Sequence, residues 1–131
     1  MIIVTCGNTG TTTYCKTHEK AVELPSTVVS KGDNWLKHYY EIVKYLSDNG
    51  YLVFIDFNKT VIEYLCLLNQ KAYILAYSDK SGVHNFTEKY KDNYKYFTSL
   101  KSKNIVKIPL NSTFIMMKDI VSAILEGNYE K

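Results

Sequence analysis

Three stretches of this chain, "MIIVTC", "YLVFIDF" and "KAYILAY", are short and almost continuously apolar, and segments of helical character stand between them. Such a run suits a strand covered on both faces, because a strand with one wet face alternates apolar and polar residues. "KAVELP", stopped by Pro25, and "NIVKIPL" add two more strands. Five strands alternating with five helical segments predict an α/β fold with three layers: an open, mostly parallel five-stranded sheet with helices on both faces.

The intervening segments carry their own signals. A weak short helix is expected from Thr11 to about Glu19. The next has Asp33 or Asn34 as its cap, Trp35, Tyr39, Ile42, Val43 and Leu46 on one face, and Gly50 just past its end. Asn58 can cap a third helix that turns Val61, Tyr64, Leu65 and Leu68 inward, and a polar helix is expected from about Asn85 to Phe97. The last starts near Thr113, buries Met116, Met117, Ile120, Val121 and Ile124, and stops near Gly127.

At 131 residues, 46% of them hydrophobic, the chain is the size of a single domain and can build a core without metal or disulfide staples. Its three cysteines form no scaffold-like set, so free thiols in a reducing, cytoplasmic setting are expected. No run approaches the roughly 18 apolar residues of a membrane span, which argues against a membrane partner. All sixteen basic residues are lysine. Without arginine's planar fork, any phosphate site has to use backbone amides, hydroxyls and lysine point charges.

In an open parallel sheet, ligands bind beyond the carboxyl ends of the strands. The loop after the first strand, "CGNTGTTTYCK", is therefore the first place to look. A phosphate-cradling loop needs glycines to turn its N–H groups inward, a lysine for the β and γ phosphates and a hydroxyl for magnesium. Against G-x-x-x-x-G-K-[ST], residues 5 to 12 read T-C-G-N-T-G-T-T, so Gly10 and Thr12 match while Thr5 and Thr11 do not. Two readings stay open: a cup formed by Gly7, Asn8, Thr9, Gly10, Thr11, Thr12 and Thr13, or an ordinary glycine-bearing turn in which the threonines act as caps. Lys16 and Lys31 are the nearest substitutes for the missing cation, though neither has the expected spacing.

The order of "GNTGTTT", "VELPST", "NWLKHYYEIVKYL", "YLVFIDFNKTVIEYL", "AYILAYSDKS" and the lid-like "FTEKYKDN" resembles that of small phage-encoded P-loop kinase-like proteins. The resemblance spans nearly the whole chain. It implies a nucleoside and nucleotide kinase-like fold that binds a nucleotide, with phosphoryl transfer to a nucleoside or nucleotide as the family activity. The chain departs from that pattern at Thr11, in place of the loop lysine, and in a lid with lysines only. The expected function is therefore binding of a nucleotide or other phosphorylated small molecule with weak or no phosphoryl transfer. The alternative is a phage inhibitor of a host defence protein, acting by protein contact through a tyrosine-rich exterior or by sequestering a signalling nucleotide.

Asp56 ends an apolar run, where a carboxylate can hold Mg²⁺ together with Thr12, or can simply form a turn. Glu23 and Ser26 read mainly as a solvated turn around Pro25. Between His84 and Lys107 stand six lysines against Glu88 and Asp92. Lys89, Lys91 and Lys95 are the lid candidates, with an ordinary solvated basic face as the plainer reading. The overall charge of +3 is too small to favour nucleic acid. The three histidines show no metal-ligand spacing. Cys6, before a glycine-rich turn, leaves a minor alternative: a phosphocysteine loop like that of sugar-transport proteins.

Overall fold

The computed structural model describes residues 1–7, 9–78, 88–111 and 113–127. Its strands are β1 (Ile2–Val4), β2 (Ala21–Glu23), β3 (Leu52–Ile55), β4 (Ala72–Tyr77) and β5 (Ile105–Leu110). The helices are α1 (Thr11–Thr17), α2 (Trp35–Asp48), α3 (Lys59–Leu67), α4 (Glu88–Ser99) and α5 (Met117–Glu126), with a 3₁₀ turn at Ser26–Val28. The strands form one sheet in the order β2-β3-β1-β4-β5, and every pairing is parallel. The expected three-layer open α/β architecture is the one observed.

Connection handedness assigns the layers. The step from β1 to β2 runs one way across the sheet, and the three later steps run the other way. Right-handed crossovers therefore put α1 on one face and α2, α3 and α4 on the opposite face. The two halves of the core agree. Ile2, Val4, Val53, Ile55 and Ile74 pack with Tyr39 and Val43 of α2, Ile62 and Leu65 of α3, and Phe97 of α4. Ile3, Phe54, Leu75 and Ile108 pack on the other side with Ile120, Val121 and Ile124 of α5, and Tyr14 of α1 lies against the same cluster. Alternate residues of each strand thus feed opposite layers, as the pleat requires. Every residue of β4 is buried, which explains its unbroken apolar run.

Several boundaries differ from expectation for local reasons. Asn34 occupies the N-cap position of α2, as one of the two expected candidates, but it lies in the left-handed region (φ 64°) and makes no side-chain cap bond. Asn58 does cap α3, accepting from the Val61 N–H at 3.2 Å. The buried stripe of α2 is narrower than expected, with Ile42 40% exposed, and Leu68 lies exposed at the C-cap of α3. α5 begins at Met117 rather than near Thr113, because Asn111 and Phe114 bridge each other and the Asn111 side chain accepts from Thr113. Met116 therefore precedes the helix and is 47% exposed instead of inward-facing. α4 runs on to Ser99, and its expected beginning at Asn85 lies, like residues 79–82 after β4, outside the described residues.

Candidate functional site

β1 occupies the middle of the sheet, and the chain leaving it turns toward the α1 face. The chains leaving β3 and β4, its two neighbours, turn to the other face. Such divergence opens a crevice at the carboxyl end of the central strand. A cavity of about 350 Å³ lies there. One wall is the glycine loop and the first turn of α1: Thr5, Gly7, Gly10, Thr11, Thr12 and Thr13. The facing wall is Glu23, the last residue of β2, and Pro25 beyond it, with Phe54 and Ile55 at the end of β3 and Asp56 just after it.

The loop is held in a defined shape. Gly7 and Gly10 adopt φ of 85° and 76°, left-handed values that a Cβ disfavours. A Cβ on Gly10 would also lie 3.0 Å from Met116 Cε, a tight contact, while one on Gly7 would meet the Tyr90 hydroxyl at 3.4 Å, an ordinary one. Two loop carbonyls are drawn to the β4 and α5 side, since the Tyr77 hydroxyl donates to the Gly7 carbonyl at 2.7 Å and the Met117 N–H donates to the Thr9 carbonyl at 2.6 Å. In a trans peptide the C=O and N–H point in opposite directions. Fixing the Thr9 carbonyl on Met117 therefore turns the Gly10 N–H away from the Met117 amide, which is not part of the cavity lining. The amides of Thr11 to Thr13, in the first turn of α1, have no intrahelical acceptor. Among the described residues none of them donates to a backbone carbonyl.

Thr11, at the position of the lysine in a phosphate loop, does something else. It is half-buried in the cavity wall, and its hydroxyl lies 3.0 Å from that of Thr9, which is itself buried. Thr9 therefore serves the loop from within and does not line the cavity. Asn8 lies outside the described residues.

Ser26 belongs to no solvated turn. It is buried, its N–H donates to Asp56 Oδ1 at 2.9 Å and its hydroxyl donates to Asp56 Oδ2 at 3.2 Å. Asp56 thereby ties the segment after β2 to the end of β3 while remaining in the cavity lining. Glu23, also read as part of that turn, lines the cavity with it.

No lysine among the described residues lines this cavity, whose formal charges are the two carboxylates. Lys31 is committed elsewhere: its ammonium donates to the Ser26 carbonyl and lies 4.3 Å from the Trp35 ring centroid. Lys16 sits exposed in the last turn of α1. Lys89, Lys91 and Lys95 are exposed on α4 outside the lining, and Lys91 is 3.4 Å from Glu88. The structure thus gathers Gly7, Gly10, Thr11, Thr12, Thr13 and Asp56 at one cavity and leaves the lid candidates on the surface.

Burial pushes the Cys6 thiol up to about 12, so it stays protonated at neutral pH. That disfavours the phosphocysteine alternative, which needs a thiolate nucleophile. No group of three or more His, Cys, Asp or Glu side chains placed to hold a metal occurs among the described residues. The site still suits Mg²⁺ of the kind that keeps waters and phosphate oxygens as ligands and takes one or two from protein. Asp56 uses one acceptor site on each oxygen for Ser26 and keeps others, and Thr12 lines the same cavity.

Tyr77 and Met117 are the parts of the site that sequence reading missed. Both anchor the loop through atoms with no motif of their own. The only available signal was topological: a tyrosine ending the strand next to β1 is placed to reach the loop that follows β1. Comparison of the chain with protein-family models, curated proteins and solved structures returns no match. No described helix is long and apolar enough to cross a membrane.

Proposed function

We propose that the chain binds a nucleotide or another phosphorylated small molecule in the cavity beside Gly7 to Thr13, as a P-loop kinase-like protein with little or no phosphoryl transfer. One observation carries the reading: a glycine loop at the switch point of the sheet has the carbonyls of Gly7 and Thr9 bonded to Tyr77 and Met117, neither of which lines the cavity, which leaves the amides of Gly10 and the following threonines available to an anion. Inward-facing amides and hydroxyls are the chemistry that cradles phosphate.

Weak catalysis follows from the charges. The cavity offers carboxylates where transfer of a phosphoryl group needs fixed cations around its oxygens. Mg²⁺ arriving with the ligand would be held by Asp56 and Thr12 and would supply the positive charge that the lining lacks. Asp56 orients from Ser26, Thr12 presents a hydroxyl, and Thr11 shapes the wall without charge.

Calorimetry with ATP, GTP, deoxynucleotides and cyclic or ADP-ribose-type nucleotides, each with and without Mg²⁺, tests the reading. Magnesium-dependent binding supports it. Absence of binding at millimolar concentration overturns it.

A second reading, inhibition of a host protein by surface contact, draws on a different place. A broad open groove of about 650 Å³ on α2 is lined by Val29, Ile42, Tyr45 and Leu46, with His38 and Glu41. The tyrosine-rich exterior expected for that role is corrected by the structure: among the described tyrosines only Tyr45 is exposed, and Tyr39, Tyr73 and Tyr77 are buried. Pull-down from a bacterial lysate separates the readings. A stoichiometric protein partner retained after Gly10→Ala favours the surface, and a co-purifying nucleotide favours the cavity.

A further inference from the structure

Of the two carbonyl anchors found among the described residues of the loop, the bond from the Met117 amide comes from the backbone and survives any ordinary side-chain substitution. The other is a single phenol. Tyr77 is the last residue of β4 and is fully buried, and its hydroxyl donates to the Gly7 carbonyl at 2.7 Å. Its ring meets the Tyr90 ring edge to face, with centroids 4.9 Å apart and planes at 74°. Tyr90, in the first turn of α4, brings its own hydroxyl to the space beside the Gly7 Cα. The loop after β1, the end of β4 and the beginning of α4 therefore meet at one small cluster, whose two tyrosines are not part of the cavity lining.

We infer that Tyr77 is the positioning residue of the glycine loop, holding the Gly7 carbonyl back so that the loop presents amides to the cavity, and that Tyr90 braces it so that loop and α4 shift together. The inference rests on the reading of the cavity as a phosphate site. It adds that affinity depends on a group that touches no ligand. Gly7 has no side chain with which to fix its own peptide, and at φ 85° it has the widest conformational freedom of any residue type. An external bond to its carbonyl is a direct way to select one orientation. Burial raises the Tyr77 phenol well above its ordinary range, so it remains a donor throughout neutral and mildly alkaline pH.

The test combines ¹⁵N amide spectra with calorimetry using pyrophosphate and Mg²⁺ on the full chain, for the wild type, Tyr77→Phe and Tyr90→Leu. Tyr77→Phe keeps the ring and removes the bond. The expected result is displaced or broadened Gly7 and Gly10 amide signals, unchanged Gly50 and Gly127 signals, and pyrophosphate affinity lowered about tenfold. Tyr90→Leu, which leaves the buried strand intact, should move the same loop signals with a smaller loss of affinity. Unchanged Gly7 and Gly10 signals in Tyr77→Phe, with affinity retained, overturn the inference and leave the phosphate reading standing. Failure of the wild type to bind pyrophosphate or any nucleotide overturns the phosphate reading, while the loop signals still decide whether Tyr77 positions the loop.

Discussion

At Thr11 the chain places a hydroxyl paired with Thr9 where a phosphate loop has an ammonium, and the surrounding lining makes that exchange large in electrostatic terms. A single charge about 4 Å from a phosphate is worth ~4 kcal/mol at an effective dielectric of about 20. The cavity is open to solvent, and Glu23 and Asp56 would compete for a new cation, so only part of that is recoverable. Thr11→Lys is expected to tighten pyrophosphate binding about tenfold at low salt, with the gain fading as ionic strength rises, as read by calorimetry. Cys6 offers a second residue-level check. Its thiol titrates near 12 instead of the ordinary 9.0, so the folded state holds a proton that the unfolded state releases. The sign is then fixed: stability contributed by the neutral thiol is present below pH 9 and lost as the pH rises toward 12. Iodoacetamide at pH 8 should label Cys15 and Cys66, both only half-buried, well before Cys6, with mass spectrometry of the digested protein as the readout.

Elements meet at the site through Asp56, which directly follows β3 and accepts from both donors of Ser26 after β2. Asp56→Ala leaves a buried N–H and hydroxyl without acceptors, which costs ~1–3 kcal/mol. The urea midpoint should fall accordingly, and any Mg²⁺ dependence of ligand binding should vanish with it. Element by element, the sequence was most informative where burial was simple. The apolar runs of β1, β3 and β4 are read directly because helices cover both of their faces, and Asn58 is visible as a cap because its effect is local. The start of α5 was not legible, since it is set by the Asn111–Phe114 bridge and by a bond from Met117 to Thr9, neither of which is a property of its own segment. Ser26 was misread for the same reason: its partner Asp56 is remote in sequence, and a serine after a proline looks the same whether its hydroxyl meets water or a carboxylate. The site residues in the loop could be named in advance, but the charge of the cavity could not, because Glu23 and Asp56 come together only when β2 and β3 pair.

For the molecule as a whole, β3, β1 and β4 form the interior of the sheet, while β2 and β5 are its edges. β2 is three residues long, and β5 carries an exposed Pro109, which has no N–H to offer a further strand. Native-state hydrogen exchange should therefore find its slowest amides in β1, β3 and β4, with β2 exchanging at least tenfold faster. A slow β2 would mean that the edge is covered by something other than the described residues. The link from Met117 to Thr9 also sets an order of events during synthesis. A ribosome-bound intermediate lacking α5 would have the glycine loop but only one of its two carbonyl anchors, so ligand binding competence should arise abruptly, when the segment around residue 117 clears the exit tunnel.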